Sequence, residues 1–302
     1  MKILVIGGTY FLGRVFTIVA SKENHQLFLL NRGTYSMNMP MVTEYHLDRH
    51  DVDSLKKLPP QEYDAVVDFC AYLPKDVENL LNNIPGKVKQ YIYISTCDVY
   101  KRNIEGLKDE NTELLDVCYP GEAGEYMYNK MILEKETKRV CEKLAIAYTS
   151  IRPAMIYGPF NYAPRESLFV KWIVEGQLLP YPVDADGRFQ FVYVKDVANA
   201  ILSAIGKENA YNQAFNLCGK EILDYKGFFE TLKEVSDRDF YTKDVTVKQI
   251  TQENIPLPFP LTKEETELYD GSKIEKELGF KYTALVDGME KAFQAFKGVF
   301  EG

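Results

Sequence analysis

Short runs in which nearly every position is apolar, Ile3 to Ile6, Gln26 to Leu30, Ala65 to Phe69 and Gln90 to Ser95, alternate with longer stretches whose apolar residues recur at helical spacing. Continuous apolar runs, lacking strict in-and-out alternation, predict strands buried on both faces. Strands that alternate with helical segments predict a parallel sheet joined by crossover helices, so the fold class is α/β with a doubly wound sheet. A long helix is predicted from about Glu125 to Leu144, followed by a strand over Ala147 to Ile151 that ends at Arg152-Pro153.

Beyond Pro159 the texture changes. Pro164, Pro180 and Pro182 punctuate short segments, Phe189 to Val194 reads as a strand, and a helix follows from about Lys195. The expected organisation is therefore a first domain over 1–158 and a smaller C-terminal lobe over 159–302, partly interleaved with it. Met289, Ala292, Phe293 and Phe296 recur at helical spacing near the C-terminus and read as packing rather than as a ligand stripe. No internal repeat or low-complexity tract is visible.

The chemistry enters at the turns. Gly7-Gly8-Thr9-Tyr10-Phe11-Leu12-Gly13 follows the first strand and opens an amphipathic helix. Glycines in that context let a pyrophosphate approach backbone N–H groups at a helix N-terminus, the signature of a Rossmann-type dinucleotide site. After the second strand, where a carboxylate would accept hydrogen bonds from the adenosine ribose, the chain has Asn31-Arg32-Gly33. Arg32 is a bidentate phosphate donor suited to a ribose 2′-phosphate, which favours NADP over NAD. Tyr126 and Lys130 stand four residues apart on the long helix and share one face. An ammonium beside a phenol whose ordinary pKa is ~10 brings that proton into use, which makes the pair a candidate general acid/base.

Bulk properties narrow the field further. The chain has 302 residues, a net charge of −8 and a pI near 5.2. That balance weighs against nucleic acid or an anionic membrane as the main partner and favours a small-molecule substrate. Five dispersed cysteines without paired metal-ligand spacing argue against a structural zinc site, so no metal is expected. No apolar stretch reaches membrane length and no cleavage pattern follows Met1, so the expected location is cytoplasmic.

Four ordered motifs give the chain a resemblance to the extended short-chain dehydrogenase/reductases, also called NAD-dependent epimerase/dehydratases. They are Gly7 to Gly13, Ser95-Thr96-Cys97-Asp98-Val99-Tyr100, Tyr126 with Lys130, and Arg152-Pro153-Ala154-Met155-Ile156-Tyr157-Gly158-Pro159. Asp270 to Lys273 and Glu277 to Phe280 are similar to the family's closing signature. The resemblance implies Thr96 as the hydroxyl that bonds the substrate oxygen, Tyr126 as acid/base and Lys130 as the residue on the nicotinamide ribose. It also implies Asp48 near the adenine, Cys70 and Ala71 at the end of the fourth strand beside the cofactor, and Pro153 near the nicotinamide. Cys70 by itself reads as a small buried apolar residue. A homodimer through the long helix is a further implication.

Several residues depart from the family pattern. Tyr10 replaces the middle glycine of the turn, so the loop is expected to follow another path or to aim a ring toward the pyrophosphate. This turn is closest to an atypical branch holding reductases and chloroplast stem-loop RNA-binding proteins. Nucleotide-sugar members carry an arginine where this chain has Phe189. Arg188 is adjacent but faces the opposite way in a strand, and no arginine stands near Pro260. Arg165 is an alternative anion contact, so Thr96, Arg165 and Arg188 form the candidate substrate set. Asp98 is a lone carboxylate where an eliminating enzyme of this family has two, which disfavours dehydration. The sequence thus reads as an NAD(P)-dependent oxidoreductase or epimerase at a hydroxyl or keto carbon, with a sugar or sugar nucleotide as the candidate substrate class and a non-catalytic dinucleotide sensor or RNA-associated protein as the alternative.

Overall fold

The computed structural model describes residues 1–302. Its centre is a seven-stranded, wholly parallel sheet. The strands are β1 (Lys2–Ile6), β2 (Gln26–Asn31), β3 (Val42–His46), β4 (Ala65–Asp68), β5 (Gln90–Ile94), β6 (Ala147–Pro153) and β7 (Gln213–Leu217). Their order across the sheet is β7-β6-β5-β4-β1-β2-β3. The direction of winding therefore reverses beside β1, and a crevice opens there at the carboxyl ends of the strands.

Alternation along each strand sends side chains to two cores. Ile3, Val5, Leu27, Leu29, Val67 and Ile92 face one layer, whereas Leu4, Ile6, Phe28, Leu30, Val66 and Tyr91 face the other. Helices α1 (Phe11–Lys22) and α4 (Val194–Ala204) pack together on the first face. Helix α2 (Gly121–Leu144) and the helix Asp76–Asn83 cover the second. With both faces buried, the strands need apolar residues at every position, which is why they appear as unbroken runs.

Three boundaries differ from the sequence reading. Helix α2 begins at Gly121 rather than Glu125, with Pro120 as its N-cap and Gly121 at φ +84°. Strand β6 continues through Arg152 to Pro153, because a proline at a strand end gives up only one ladder bond. The run Phe189 to Val194 contains a strand only over Phe191–Tyr193, paired with Met155–Tyr157, while Phe189 bridges to Leu223. Strand β3 was not evident in the sequence: it lies at the sheet edge with a half-exposed pattern.

Residues 213–217 return from the second half to complete the main sheet as β7. The remaining second-half elements include α3 (Glu166–Val174), α5 (Tyr225–Val235) and α6 (Leu285–Glu301), with both α3 and α5 packed on α6. Met289, Ala292, Phe293 and Phe296 are buried on α6 as packing residues.

Candidate active site

Two cavities of about 520 and 530 Å³ lie along the carboxyl ends of the strands and share Gly7, Tyr10, Cys70 and Tyr72. The first extends over β2 past Thr9, Asn31, Arg32 and Asp48. The second holds Phe11, Leu12, Gly13, Thr96, Tyr126, Lys130, Pro153 and Arg165. Segments far apart in sequence thus meet because each follows the end of a neighbouring parallel strand or lies on the helix that crosses over it.

The glycine turn is tight for reasons visible at individual atoms. A Cβ on Gly13 would stand 2.3 Å from the Gly7 carbonyl oxygen, and one on Gly7 would stand 2.0 Å from Cys70 Sγ, with Gly7 already at φ +79°. Thr17 Oγ1 lies 2.8 Å from the Gly8 carbonyl oxygen and 2.9 Å from that of Gly13, so its one proton is shared between turn and helix. Tyr10 is extended at φ −134°, and the left-handed conformation falls on Phe11 at φ 37°. In this turn a bulky side chain therefore bears a backbone angle that favours glycine. The Tyr10 ring stacks on Tyr35 (5.8 Å) and Tyr162 (5.2 Å), so it lines both cavities and stands beside the turn.

At the far end, Asn31 Oδ1 accepts from Gly33 N (2.7 Å) and its Nδ2 donates to Glu44 (3.2 Å). Its side chain shapes the turn that leaves Arg32 exposed on the cavity wall. Asp48 is exposed and accepts from His50 N (2.9 Å). Arg49, which the sequence did not single out, is buried against Asp68 (2.7 Å) and donates to the Asp76 carbonyl (2.9 Å). Tyr91 donates to the other Asp68 oxygen (2.7 Å), which ties the β4 end into a buried polar network in which the Arg49 Nε alone has no partner. The Cys70 thiol beside it is pushed up to about 11, by burial first and then by Asp68.

Lys130 is buried, with Nζ donating to the carbonyls of Ala71 (3.0 Å) and Ile94 (2.8 Å). An ammonium has three donors, so one remains for a ligand in the cavity. Burial pulls its pKa down to about 8, against the pull of Asp68 and Cys70. It stands 5.8 Å from the centroid of Tyr126 and 4.5 Å from that of Tyr72. It does not bond the Tyr126 hydroxyl.

Tyr126 keeps 43 % of its surface exposed on the cleft side of α2. Desolvation still raises its phenol well above the ordinary value, with Asp98 and Tyr162 adding to the rise; the cation opposing it is Arg165. Thr96 caps the short turn after β5, accepting from Asp98 N (3.2 Å) and donating to Asp98 Oδ2 (3.3 Å). Asp98 also accepts from Tyr269 (3.3 Å) and Arg102 (3.3 Å). Buried Ser95 lines the same cavity, and its hydroxyl has no partner within the protein.

Arg165 is the N-cap residue of α3 and enters the cavity beside Tyr126. The loop before it is pinned by Glu166, whose carboxylate accepts from Gly158 N (2.8 Å) and from Asn161 Nδ2 (3.0 and 3.2 Å). Burial drives that carboxyl up to about 7 despite these bonds. Arg188 is not brought in. It is exposed and absent from the cavity walls, because Phe189 next to it turns inward to the aromatic core, 1 % exposed.

Helix α2 is fixed to the sheet by Arg152, the first residue of the motif ending at Pro159. Its guanidinium donates to both Glu134 oxygens (2.9 and 2.5 Å) and to the Tyr100 hydroxyl (2.7 Å). All three residues are buried. Sequence inspection gave Glu134 and Tyr100 no role, since helical spacing does not reveal which polar residue turns inward.

The glycine cradle, the free donor on Lys130 and the exposed Arg32 together fit a dinucleotide laid across both cavities. No group of three or more His, Cys, Asp or Glu is placed to hold a metal, and no helix is long and apolar enough to cross a membrane. Sheet order and site position define the class as extended Rossmann-type proteins with a second-half lobe.

Residues 77–218 match the family model described as the NAD dependent epimerase/dehydratase family. The matched segment contains Thr96, Tyr126, Lys130 and Arg165; the glycine turn precedes it. A stem-loop binding protein of 41 kDa from the chloroplast of Arabidopsis thaliana is 32 % identical over 241 residues, which is 75 % of this chain and 61 % of that protein. The chain therefore spans less than two thirds of that relative's length. Among solved structures, a UDP-glucose 4-epimerase from Thermotoga maritima, bound to UDP-glucose, superposes with a TM-score of 0.78 at 18 % identity, covering 99 % of each chain. A UDP-glucuronic acid 4-epimerase from Bacillus cereus, holding UDP-glucuronic acid and NAD, gives 0.75 at 18 % identity, covering 99 % of this chain and 100 % of that one. These two likenesses establish the fold.

Proposed function

We propose that the chain is an NAD(P)-dependent oxidoreductase or epimerase acting at a hydroxyl or keto carbon. The observation that carries this reading is the convergence of Thr96, Tyr126 and Lys130 on one cavity that continues into the glycine cradle. The family-model match over residues 77–218 and the UDP-sugar epimerases of the same fold support it. The nicotinamide, when bound, supplies the hydride acceptor or donor.

In this reading Tyr126 takes the proton from the substrate hydroxyl, or returns it to a carbonyl, and Thr96 orients the oxygen. Lys130 uses its remaining donor on the nicotinamide ribose and holds the cofactor end of the cleft through its carbonyl anchors. The Arg165 guanidinium is the cation that eases ionisation of Tyr126. Arg32 receives the 2′-phosphate, so NADP is the preferred dinucleotide. Residues 1–158 form the cofactor domain, completed by α4 and β7 from the second half, the rest of 159–302 forms the substrate lobe interleaved with it, and the working form is a cytoplasmic homodimer through α2.

Tyr126→Phe should retain dinucleotide, measured by mass spectrometry of released ligand, and lose turnover. Normal turnover in that variant refutes the acid/base role. Arg32→Ala should weaken NADP by about tenfold and leave NAD unchanged; equal losses refute the cofactor preference. A second reading, as an RNA-associated protein, is favoured by the Arabidopsis relative. Salt-sensitive RNA binding without turnover on any hydroxy or keto substrate would select it.

A further inference from the structure

Two cations line the cavity that holds Tyr126, and only one is free. Lys130 is tied to two carbonyls. Arg165 makes no side-chain capping bond and no ion pair, although it is partly buried and faces Tyr126 and Tyr162. A guanidinium without a partner, beside a candidate general acid, is a seat for a planar or tetrahedral anion.

The other cations nearby are spent or lie off the cavity wall: Lys130 has one donor left, which the reading above gives to the cofactor, and Arg14, whose buried Nε has no partner, lies over Phe160 and does not line the cavity. Arg102, behind Asp98, is already bonded to that carboxylate and paired with Glu267. Lys108 is buried on the same Glu267 and on the Lys101 carbonyl. In the second half of the chain, Phe189 stacks on Phe259 at 4.5 Å and both are buried among further rings off the cavity wall, so position 189 supplies no anion contact. Arg188 points to solvent, with its N–H bonded to Thr266. Asp98, which lines the same cavity, keeps 44 % of its side chain exposed, a site where a substrate hydroxyl can donate and a second negative charge is repelled.

We propose that the site takes a small polyhydroxy or keto compound bearing one carboxylate or one phosphate monoester, seated on Arg165, and not a nucleoside diphosphate sugar. This rests on the catalytic reading above for the position of the reacting carbon. The cavity of about 530 Å³ also has to admit the nicotinamide end of the cofactor, which leaves room for a compact substrate. One end of that substrate is held by charge and its hydroxyls by Thr96 and Asp98, which orients the carbon between them toward Tyr126.

The test is calorimetric titration of NADP-loaded protein with glucose 6-phosphate, gluconate, neutral glucose and UDP-glucose, for the native chain, Arg165→Gln and Arg165→Lys. Glucose 6-phosphate or gluconate should saturate; whichever binds identifies phosphate or carboxylate as the anchor. Arg165→Gln should weaken that binding at least ~10-fold, with partial recovery in Arg165→Lys. Three outcomes overturn the proposal: UDP-glucose binding about tenfold more tightly than either monoester or acid, an Arg165→Gln effect under about twofold, or no saturation by either anionic probe. Reduced-nicotinamide absorbance is followed in parallel. Anion binding as expected, with neither an absorbance change nor an epimerised product from any probe, refutes the catalytic reading and leaves the ligand class standing.

Discussion

Replacing Arg152 by glutamine removes the cation that holds α2 against β6. The loss can be sized from the contacts: two charge-assisted bonds to Glu134, one to Tyr100, and a carboxylate left only 7 % exposed without its partner. Breaking one side of a buried pair costs about 3–5 kcal/mol, most of it from stranding the remaining charge. Against a total stability of ~5–15 kcal/mol this is a large fraction, and in a chain of this size it corresponds to a fall of roughly 10 °C in Tm. Urea unfolding followed by circular dichroism measures it directly, with an unchanged m-value confirming that the unfolded state is not the cause. The double variant Arg152→Met with Glu134→Leu should recover most of the loss, because no charge then remains buried. A single-variant loss below about 1 kcal/mol, or a double variant no better than the single, would refute the reasoning. Turnover should fall with stability in Arg152→Gln, since Tyr126 and Lys130 lie two turns and one turn before Glu134 on the same helix.

Glu166 has its carboxyl raised to about 7, so between the unfolded value of 4.5 and 7 the folded chain binds the extra proton and loses stability as pH rises. The stability difference between the native chain and Glu166→Gln should therefore shift against the native chain by up to ~3 kcal/mol from pH 4.5 to 7, and a flat difference in paired unfolding curves contradicts this. Lys130 is lowered from 10.5 to about 8, so the unfolded chain binds more protons across that window and this group adds stability as pH rises through it. Lys130→Met should abolish that rise; a native-like slope in its pH–stability profile rules the assignment out. Gly13→Ala forces a Cβ to within 2.3 Å of the Gly7 carbonyl, and should cost about 1–3 kcal/mol and lower dinucleotide affinity. Fluorescence titration with NADP checks the second effect, and native affinity would show that the cradle is not the binding surface.

The sequence by itself determined the alternation of strands and helices, the glycine turn and the position of Tyr126 and Lys130 on a helix, because each is a local matter of apolar period, backbone freedom or spacing. It also marked Phe189 as the residue in place of a charged contact. Tertiary structure decided which polar groups are spent and which are free. Lys130 is turned onto Ala71 and Ile94, Asn31 into its own turn and Arg152 onto Glu134, whereas Arg165 is left open beside Tyr126. Those outcomes depend on partners from 18 to 59 residues away, or on a side chain folding back on its own turn. A burial pattern or motif records that a residue is polar; only the packed chain shows whether water, backbone or another side chain satisfies it.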